Sequence, residues 1–205
     1  MRSKSEQEAF WEGQFGDDYT ARNRELYQGY QGRRPFFEDL LGRVQGIRSA
    51  CELGANAGQN LGVLREIDPE LRLTGVEINA LACDEMRKLP DVRAVQSSIQ
   101  DFAPDETFDL VFTCGVLIHV NPDDLPAVYR KMVDLSSRYV MVNEYYNPRP
   151  AEIDYRGHST RLFKRDFAGE LLDTCPEVTL VDYGFLWKRR HPAWDNTSWF
   201  LLEKR

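Results

Sequence analysis

The sequence lacks the features that assign a chain to several common classes of protein. None of its apolar runs approaches the ~20 residues that a membrane-spanning helix needs, and the N-terminal segment has no apolar core of the kind found in signal peptides. The 205 residues contain no internal repeat, no linker and no low-complexity tract. We therefore expect a single domain over residues 1–205, in the cytoplasm and without membrane contact.

Residues that bind metals are few and scattered. The four cysteines form no Cys-x-x-Cys pair, and the three histidines share no ligand spacing with them. Three of the cysteines lie in apolar stretches, where a free thiol behaves as a small hydrophobic group. We expect no metal site and no disulfide framework, which suits a reducing compartment.

Positive charge is also in deficit. Lysine and arginine number 26 against 33 acidic residues, so the formal net charge is −7. This balance argues against nucleic acid as a partner, because such proteins need a basic surface for the phosphate backbone. We expect a small-molecule substrate, and a protein that is either a monomer or a homodimer.

Apolar runs of strand length alternate with helical stretches through the middle of the chain. We predict strands at 47–53, 71–78, 92–98, 108–114 and 139–146, with helices at 59–67, 80–89 and 123–135. This alternation is typical of βαβ units in a doubly wound, mostly parallel α/β sheet. Beyond it we predict a loop over 147–162, a helix over 165–174 and strands at 178–187 and 197–202.

Two segments precede the first strand. A helix is predicted from Pro35, which suits a first-turn position, and its apolar residues recur every three or four positions. Residues 5–26 are polar and contain several aromatic side chains. They are interpreted as one or two short helices interrupted near Gly13 and Gly16.

The most informative motif is the glycine-rich turn that joins the first strand to the first helix of the alternating part. It has the form Glu-x-Gly-x-x-x-Gly from Glu52 to Gly58. The middle glycine of a dinucleotide-binding turn is missing. The pattern resembles motif I of class I S-adenosylmethionine-dependent methyltransferases, which implies that the turn holds the methionine end of that cofactor. The residues assigned to this role are Glu52, Gly54, Asn56, Gly58 and Asn60.

The ends of the next three strands supply the remaining cofactor candidates. Glu77 follows an apolar run about 20 residues after the glycine turn, the position from which a doubly wound fold grips ribose hydroxyls. Ile78 follows it. Ser98 and Ile99 end the third strand and are expected to border the adenine, although Ser98 also suits a helix or turn cap. Cys114 and Gly115 end the fourth strand, beside the sulfonium.

Polar residues after the fourth and fifth strands are the candidates for catalysis. His119 is interpreted either as a base or as a packed histidine that caps the following loop. Glu144, at the end of an apolar strand, is the preferred base or amine-orienting acid, with Tyr145 beside it. Asn143 and Tyr146 are expected to contact the substrate.

A set of short blocks distributed along nearly the whole chain carries a narrower resemblance: 10–13, 15–17, 19, 22–23, 52–60, 115–119, 121–123, 143–148, 155–157, 162–170, 182–185 and 199–203. In these blocks the chain resembles the methyltransferases associated with the biosynthesis of pseudaminic acid, a bacterial nonulosonic acid. The resemblance implies a Rossmann-like class I methyltransferase. Its seven-stranded, mostly parallel sheet would have an antiparallel C-terminal strand and an N-terminal helical lid over residues 1–30.

The predicted lid and a basic cluster are the last candidates. Tyr19, Arg22 and Asn23 are expected to fold over the cofactor, with Arg22 meeting the methionine carboxylate, unless Arg22 is a solvated charge on a packing helix. Trp11 and Phe15 are expected to enclose the substrate. A basic cluster is interpreted either as a site for an acidic acceptor or as a solvated surface, and it consists of Arg156, Lys164 and Arg165.

Three functions remain open at this point. The first is methyl transfer from S-adenosylmethionine to an amino, amidino or hydroxyl group of a nonulosonic sugar or its precursor. The second keeps the cofactor but makes the protein a cyclase or a natural-product tailoring enzyme acting on another small molecule. The third, a binding module without catalysis, predicts a degraded glycine turn, whereas Gly54, Gly58 and Glu77 are intact.

Overall fold

The computed structural model describes residues 3–23 and 31–205. Its helices are α1 (Glu6–Glu12), α2 (Gln14–Asn23), α3 (Arg34–Arg43), α4 (Gln59–Ile67), α5 (Ala80–Met86), α6 (Leu125–Leu135) and α7 (Phe167–Thr174). Its strands are β1 (Ser49–Leu53), β2 (Arg72–Glu77), β3 (Val92–Gln96), β4 (Phe108–Cys114), β5 (Ser136–Glu144), β6 (Ala151–Tyr155), β7 (His158–Lys164), β8 (Val178–Leu186) and β9 (Thr197–Lys204). Two short 3-10 helices, Leu117–His119 and Pro122–Asp124, connect β4 to α6.

Seven of the strands form one sheet in the order β3-β2-β1-β4-β5-β9-β8. The strands from β3 to β5 run parallel, β9 is antiparallel to both of its neighbours, and β8 therefore runs with the parallel set. The predicted doubly wound sheet with its antiparallel C-terminal strand is thus confirmed. The order reverses between β1 and β4, and ligands bind at the carboxyl ends of the strands flanking such a reversal.

A hydrophobic core lies on each face of this sheet. On one face, α3, α4 and α5 pack their apolar side chains against the strands, with Phe37, Leu61 and Met86 fully buried. On the other face α6 and α7 do the same, through residues such as Met132 and Leu171. Because both faces are covered, β1 is buried along its whole length, as expected of a central parallel strand.

The helices α1 and α2, which we call the N-terminal helix pair, lie against the end of the sheet that carries the reversal. Ser5 caps α1 in a reciprocal capping box with Glu8. The chain breaks at Gly13 as predicted, but Gly16 lies inside α2 rather than at a break. Glycine is required at position 16 because a Cβ there would lie 1.9 Å from the Trp11 carbonyl oxygen. Residues 24–30 of the predicted lid lie outside the described residues.

The prediction of a loop over 147–162 was wrong. Strands β6 and β7 form an antiparallel hairpin there, closed at Arg156 and Gly157, which both have positive φ. This is the conformation that a two-residue hairpin turn demands. The strand pattern escaped notice because β6 buries none of its residues and therefore shows no apolar alternation.

Among the described residues no helix is long and apolar enough to cross a membrane. Within the same residues no group of three or more His, Cys, Asp or Glu side chains is arranged to hold a metal ion.

Candidate functional site

A cavity of about 580 Å³ opens at the carboxyl ends of β1 to β4, beside the reversal of strand order. This volume lies within the range of about 300–1,000 Å³ that is typical of small-molecule sites. The cavity is lined by the β1–α4 turn, the ends of β2 and β3, the segment after β4, the N-terminal helix pair and residues 192–193. The topology and the cavity thus agree on where a ligand binds.

The glycine turn forms one wall. After β1, Gly54 and Asn56 both adopt positive φ, and the N–H groups of Gly54 and Ala55 donate to the Val76 carbonyl of β2 at 2.8 and 3.0 Å. A Cβ on Gly54 would lie 2.6 Å from a methyl carbon of Val116, so the segment after β4 can approach the turn only because position 54 is glycine. Gly58 begins α4 in the left-handed region but does not line the cavity.

A chain of three polar side chains runs along the same wall. The Asn60 amide donates to Glu52 Oε1 at 2.6 Å, and Arg33 Nη1 donates to Asn60 Oδ1 at 2.7 Å. The other oxygen of Glu52 is buried and has no partner among the described residues. Burial raises the pKa of Glu52 to about 8, which the Asn60 hydrogen bond opposes. An unpartnered carboxylate oxygen at a cavity wall is suited to a ligand that brings a positive charge or an N–H donor.

Glu77 forms the next part of the wall at the end of β2. Its two oxygens accept the backbone N–H groups of Asn56 and Asn79, each at 2.8 Å. Burial raises its pKa, and these hydrogen bonds lower it. The carboxylate therefore fixes the glycine turn relative to β2, and Ile78 beside it also lines the cavity.

The end of β3 lines the cavity through residues 97–100. The Ser98 hydroxyl donates to Asp101 at 2.7 Å and accepts the backbone N–H of Asp101 at 3.0 Å. This is the turn-capping arrangement that the sequence left open for Ser98. Ile99 is half-buried at the same edge.

Three predicted residues at or after the end of β4 line the cavity: Cys114, Gly115 and His119. The His119 ring packs between Trp11 and Tyr155, at centroid distances of 4.6 and 4.9 Å. Its Nδ1 lies 2.6 Å from the Arg161 carbonyl oxygen, which only accepts, so Nδ1 carries the proton and Nε2 keeps a lone pair. Burial lowers the pKa of His119 to about 4, so the ring is neutral at physiological pH.

Glu144 is placed differently from the sequence prediction. Its side chain is buried behind the segment after β4 and does not line the cavity. Its carboxylate accepts the backbone N–H groups of Val116 and Leu117 at 3.1 and 3.2 Å. Burial raises the pKa of Glu144 to about 7. Glu144 therefore anchors the turn that carries His119. This position differs from the one expected of a base in contact with substrate.

Among the described residues, most of the others that were predicted to contact the acceptor do not line the cavity. The Tyr145 hydroxyl donates to Asp195 at 2.7 Å, and Lys164 lies over the Tyr145 ring. Asn143 is buried in β5, whereas Tyr146 is exposed on the outer surface. Four further predicted residues do not line the cavity. Phe15 stacks on Phe10, and Arg22 lies over the Phe15 ring. Arg156 lies in the hairpin turn, and Arg165 pairs with Glu170.

The N-terminal helix pair lines the cavity through three predicted residues, Trp11, Tyr19 and Asn23. Two residues that were not predicted, Gln7 and Thr20, also line it. The sequence interpretation missed Arg33, although it selected Arg22 for the guanidinium role. Arg33 stacks over Trp194 at 4.6 Å while it bonds Asn60. The available sequence signal was the position of Arg33, directly before Arg34 and Pro35 at the start of a predicted helix.

The fold is a Rossmann-like α/β sheet with a cavity at the reversal of its strand order. Residues 50–137 match the family model described as a methyltransferase domain. Trans-aconitate 2-methyltransferase from Escherichia coli O139:H28 is 32% identical over 90 residues, which are 42% of this chain and 35% of that protein. The same enzyme from Shigella flexneri is 30% identical over 95 residues, 44% and 37% of the two chains. The chain thus spans about a third of the length of the curated relatives it matches.

Solved structures are similar over nearly the whole chain. The 1,6-didemethyltoxoflavin-N1-methyltransferase of Burkholderia thailandensis, with bound 1,6-didemethyltoxoflavin and S-adenosylhomocysteine, has a TM-score of 0.75 at 17% identity and covers 100% of this chain and 91% of its own. DesVI of Streptomyces venezuelae has a TM-score of 0.65 at 15% identity, with coverages of 92% and 98%. These structures share the predicted Rossmann-like fold, and residues 50–137 are similar to a methyltransferase domain.

Proposed function

We propose that the protein transfers a methyl group from S-adenosylmethionine to a small-molecule acceptor. The observation that carries this proposal is the cavity at the strand-order reversal, with Glu52 and Glu77 on one wall and His119 on another. The donor set fits the cofactor. The unpartnered oxygen of Glu52 suits the amino group of the methionine part, and Arg33 suits its carboxylate.

The other end of the cavity has the character of a nucleoside site. Glu77 lies at the end of β2, where a carboxylate is within reach of ribose hydroxyls. Ile78 and Ile99 offer apolar surface for a flat ring, and Ser98 and Gln100 offer polar atoms at its edge. When bound, S-adenosylmethionine supplies a methyl group that is already activated by the adjacent sulfonium.

The chain's own contribution is then alignment, exclusion of water and removal of a proton from the acceptor. His119, whose lowered pKa keeps the ring neutral but weakly basic, is suited to orienting the acceptor for the last of these. Its Nδ1–H is committed to the Arg161 carbonyl, so Nε2 accepts a hydrogen bond from an acceptor hydroxyl or amine and orients its lone pair. Glu144 acts through this histidine, because it holds the backbone that precedes it.

We further propose that the acceptor is a nonulosonic sugar or its precursor, methylated on an amino, amidino or hydroxyl group. The support is the resemblance of blocks outside the matched domain, in α1 and in the β6–β7 hairpin. These two elements contact each other: Phe10 packs on His158 at 5.0 Å, and the Gln7 amide donates to the Thr160 carbonyl at 3.1 Å. The resembling blocks therefore lie in two elements that contact each other, and α1 also lines the cavity.

The test is product analysis by mass spectrometry. Purified protein is incubated with S-adenosylmethionine and a panel of nonulosonic acids and their amino-sugar precursors. We expect S-adenosylhomocysteine together with an acceptor that has gained one CH₂ in mass. Consumption of the cofactor without S-adenosylhomocysteine would instead identify a cyclase, and methylation of an unrelated metabolite alone would contradict the sugar assignment.

A further inference from the structure

Among the described residues that line the cavity, Arg33 is the only one with a positively charged side chain. A bound S-adenosylmethionine would bring its carboxylate into this cavity, so its affinity depends on where this one guanidinium lies. Arg33 directly precedes α3 and lies outside the matched residues 50–137. The matched domain alone therefore does not explain how the guanidinium is held.

Two contacts hold the Arg33 guanidinium. Its Nη1 donates to Asn60 Oδ1 at 2.7 Å, and its central carbon lies 4.6 Å from the centre of the Trp194 ring. A cation at this distance is attracted by the negative face of an indole. Among the described residues only Asn60 accepts a hydrogen bond from this guanidinium, which leaves further N–H groups for a ligand.

Trp194 is itself held by packing. Its side chain is only 6% exposed, and its ring contacts Phe36 and Phe37 at centroid distances of 5.1 and 6.1 Å. Its indole N–H has no hydrogen-bond partner among the described residues, so the ring contributes its surface rather than its N–H group. Both phenylalanines belong to the first turn of α3, directly after Arg33. Trp194 thus packs on the helix start that carries the guanidinium.

The segment that carries Trp194 connects β8 to β9 over residues 187–196, and we call it the β8–β9 loop. The backbone N–H of Lys188 donates to Asn196 Oδ1 at 2.9 Å, which closes the loop at its base. The Lys188 ammonium pairs with Asp195 at 2.8 Å, so the acid of this loop has its own counter-charge. Residues 192–193 line the cavity. The loop is therefore a fixed wall of the cavity beside Arg33.

We infer that Trp194 is a positioning residue for the cofactor, because its ring holds the Arg33 guanidinium where it meets the carboxylate of the methionine part. The inference rests on the proposed function and adds the β8–β9 loop, which lies outside the matched domain, to cofactor recognition. Since Trp194 acts through Arg33, its contribution is confined to the amino-acid end of the ligand. Binding of the nucleoside end does not depend on it.

The test compares two ligands by titration calorimetry on the full chain. One is S-adenosylhomocysteine, and the other is 5′-methylthioadenosine, which has the same nucleoside and sulfur but no amino-acid part. In Trp194→Leu we expect S-adenosylhomocysteine to bind roughly three- to thirtyfold more weakly, as loss of a cation–π contact implies. Binding of 5′-methylthioadenosine should be unchanged. Trp194→Phe keeps a ring face and should retain most of the affinity for S-adenosylhomocysteine.

Trp199→Leu is the matched control. Trp199 is 7% exposed, packs on the same Phe36 at 5.9 Å and lies under Arg43, which does not line the cavity. This change perturbs the same core without releasing Arg33, so it should lower the thermal midpoint and leave both dissociation constants as in wild type. Circular dichroism establishes that each variant folds. If Trp194→Leu does not fold, Trp194→Met takes its place, because methionine fills an irregular gap more readily.

A double-mutant cycle with Arg33→Ala separates action through Arg33 from a general effect. In the Arg33→Ala background, Trp194→Leu should cause no further loss of affinity for S-adenosylhomocysteine, whereas independent contributions would add. Additive losses would overturn the inference. So would an unchanged affinity in Trp194→Leu, equal weakening of both ligands in that variant, or an equal loss in Trp199→Leu. Wild-type protein that binds neither ligand would overturn the proposed function, and the role of Trp194 with it.

Discussion

Three buried glutamates surround the cavity, and their different surroundings assign them different tasks. Glu77 and Glu144 both accept backbone N–H groups, which fix the glycine turn and the segment after β4. Glu52 has one oxygen bonded to Asn60 and one without a partner among the described residues. Of the three, only Glu52 has an oxygen without a hydrogen-bond partner among the described residues, which is why we assign it to the amino group of the cofactor.

His119 is the residue on which the proposed proton transfer depends. In His119→Asn, the amide of the shorter side chain can still donate to the Arg161 carbonyl, but Nε2 is lost. We expect kcat to fall by about 10²-fold or more, with little change in the affinity for S-adenosylhomocysteine. Steady-state kinetics and calorimetry on the same preparation check this. Unchanged kcat would show that His119 only packs between Trp11 and Tyr155.

Arg33 and Arg22 offer a matched pair. Arg33→Ala removes the guanidinium bonded to Asn60 at the cavity and should weaken S-adenosylhomocysteine binding by about 10- to 100-fold, since a charged hydrogen bond contributes ~1.5–3 kcal/mol. Arg22→Ala is expected to bind as wild type, because Arg22 lies over Phe15 and not at the cavity. The reverse ranking of the two dissociation constants would contradict the assignment.

For individual residues, the sequence predicted which side chains lie at the cavity better than it predicted what each side chain does there. Spacing selected Glu52, Glu77 and His119, and all three line the cavity because a doubly wound sheet brings the carboxyl ends of its strands to one edge. Spacing also selected Glu144, which lies behind the cavity wall, because an acid at the end of a strand has the same pattern whether it faces a ligand or a backbone turn. Arg33 was missed because its place at the cavity depends on how α3 packs against α4.

At the scale of elements, the N-terminal helix pair and the β6–β7 hairpin form one unit above the cavity. Gln7 donates to Thr160, Arg161 pairs with Glu6, and the Phe10 ring contacts His158. The same hairpin supplies the carbonyl that orients His119. Movement of the helix pair is therefore coupled to the position of the proposed base.

Gln7→Ala tests that coupling. Loss of the bond to Thr160, a contribution of ~1 kcal/mol, should loosen α1 and speed the release of S-adenosylhomocysteine about fivefold. Gln14→Ala is the control, because among the residues that the structure describes Gln14 bonds only Asp18, on an exposed surface. Stopped-flow release and hydrogen exchange of α1 measure the effect. Equal release rates for the two variants would show that the contact between α1 and the hairpin does not control release from the cavity.

The alternation of apolar runs predicted the parallel strands β1 to β5, because buried parallel strands tend to be continuously apolar, whereas the seven-stranded sheet was implied by the family resemblance. The same criterion could not find the β6–β7 hairpin, which is stabilised by its turn and by contacts to the N-terminal helix pair rather than by burial of β6. The turn residues Arg156 and Gly157 were the available signal.

For the whole molecule, the buried glutamates predict how stability depends on pH. The pKa values of Glu52 and Glu144 rise on folding, to about 8 and about 7, so the folded state holds protons that the unfolded state has lost. Stability should therefore fall as pH rises through this range. The pKa of His119 falls on folding instead. Protonation of this histidine in the unfolded state therefore lowers stability only below about pH 6.5, outside this range.

Between pH 6.5 and 8.5 the ligand-free protein should thus lose about 3 kcal/mol of stability. Denaturant unfolding at several pH values measures this loss, and Glu52→Gln should remove much of the slope because glutamine does not titrate. A stability that rises over this range would contradict the assignment of protonated carboxyl groups to the folded state.

The central claim is that the cavity at the strand-order reversal binds S-adenosylmethionine. Isothermal titration calorimetry of the purified full chain with S-adenosylmethionine and S-adenosylhomocysteine tests it most directly. We predict one saturable site per chain for each compound, with affinity reduced at least tenfold in Glu52→Gln. The absence of binding heat for both compounds, confirmed at a second temperature, would contradict the account.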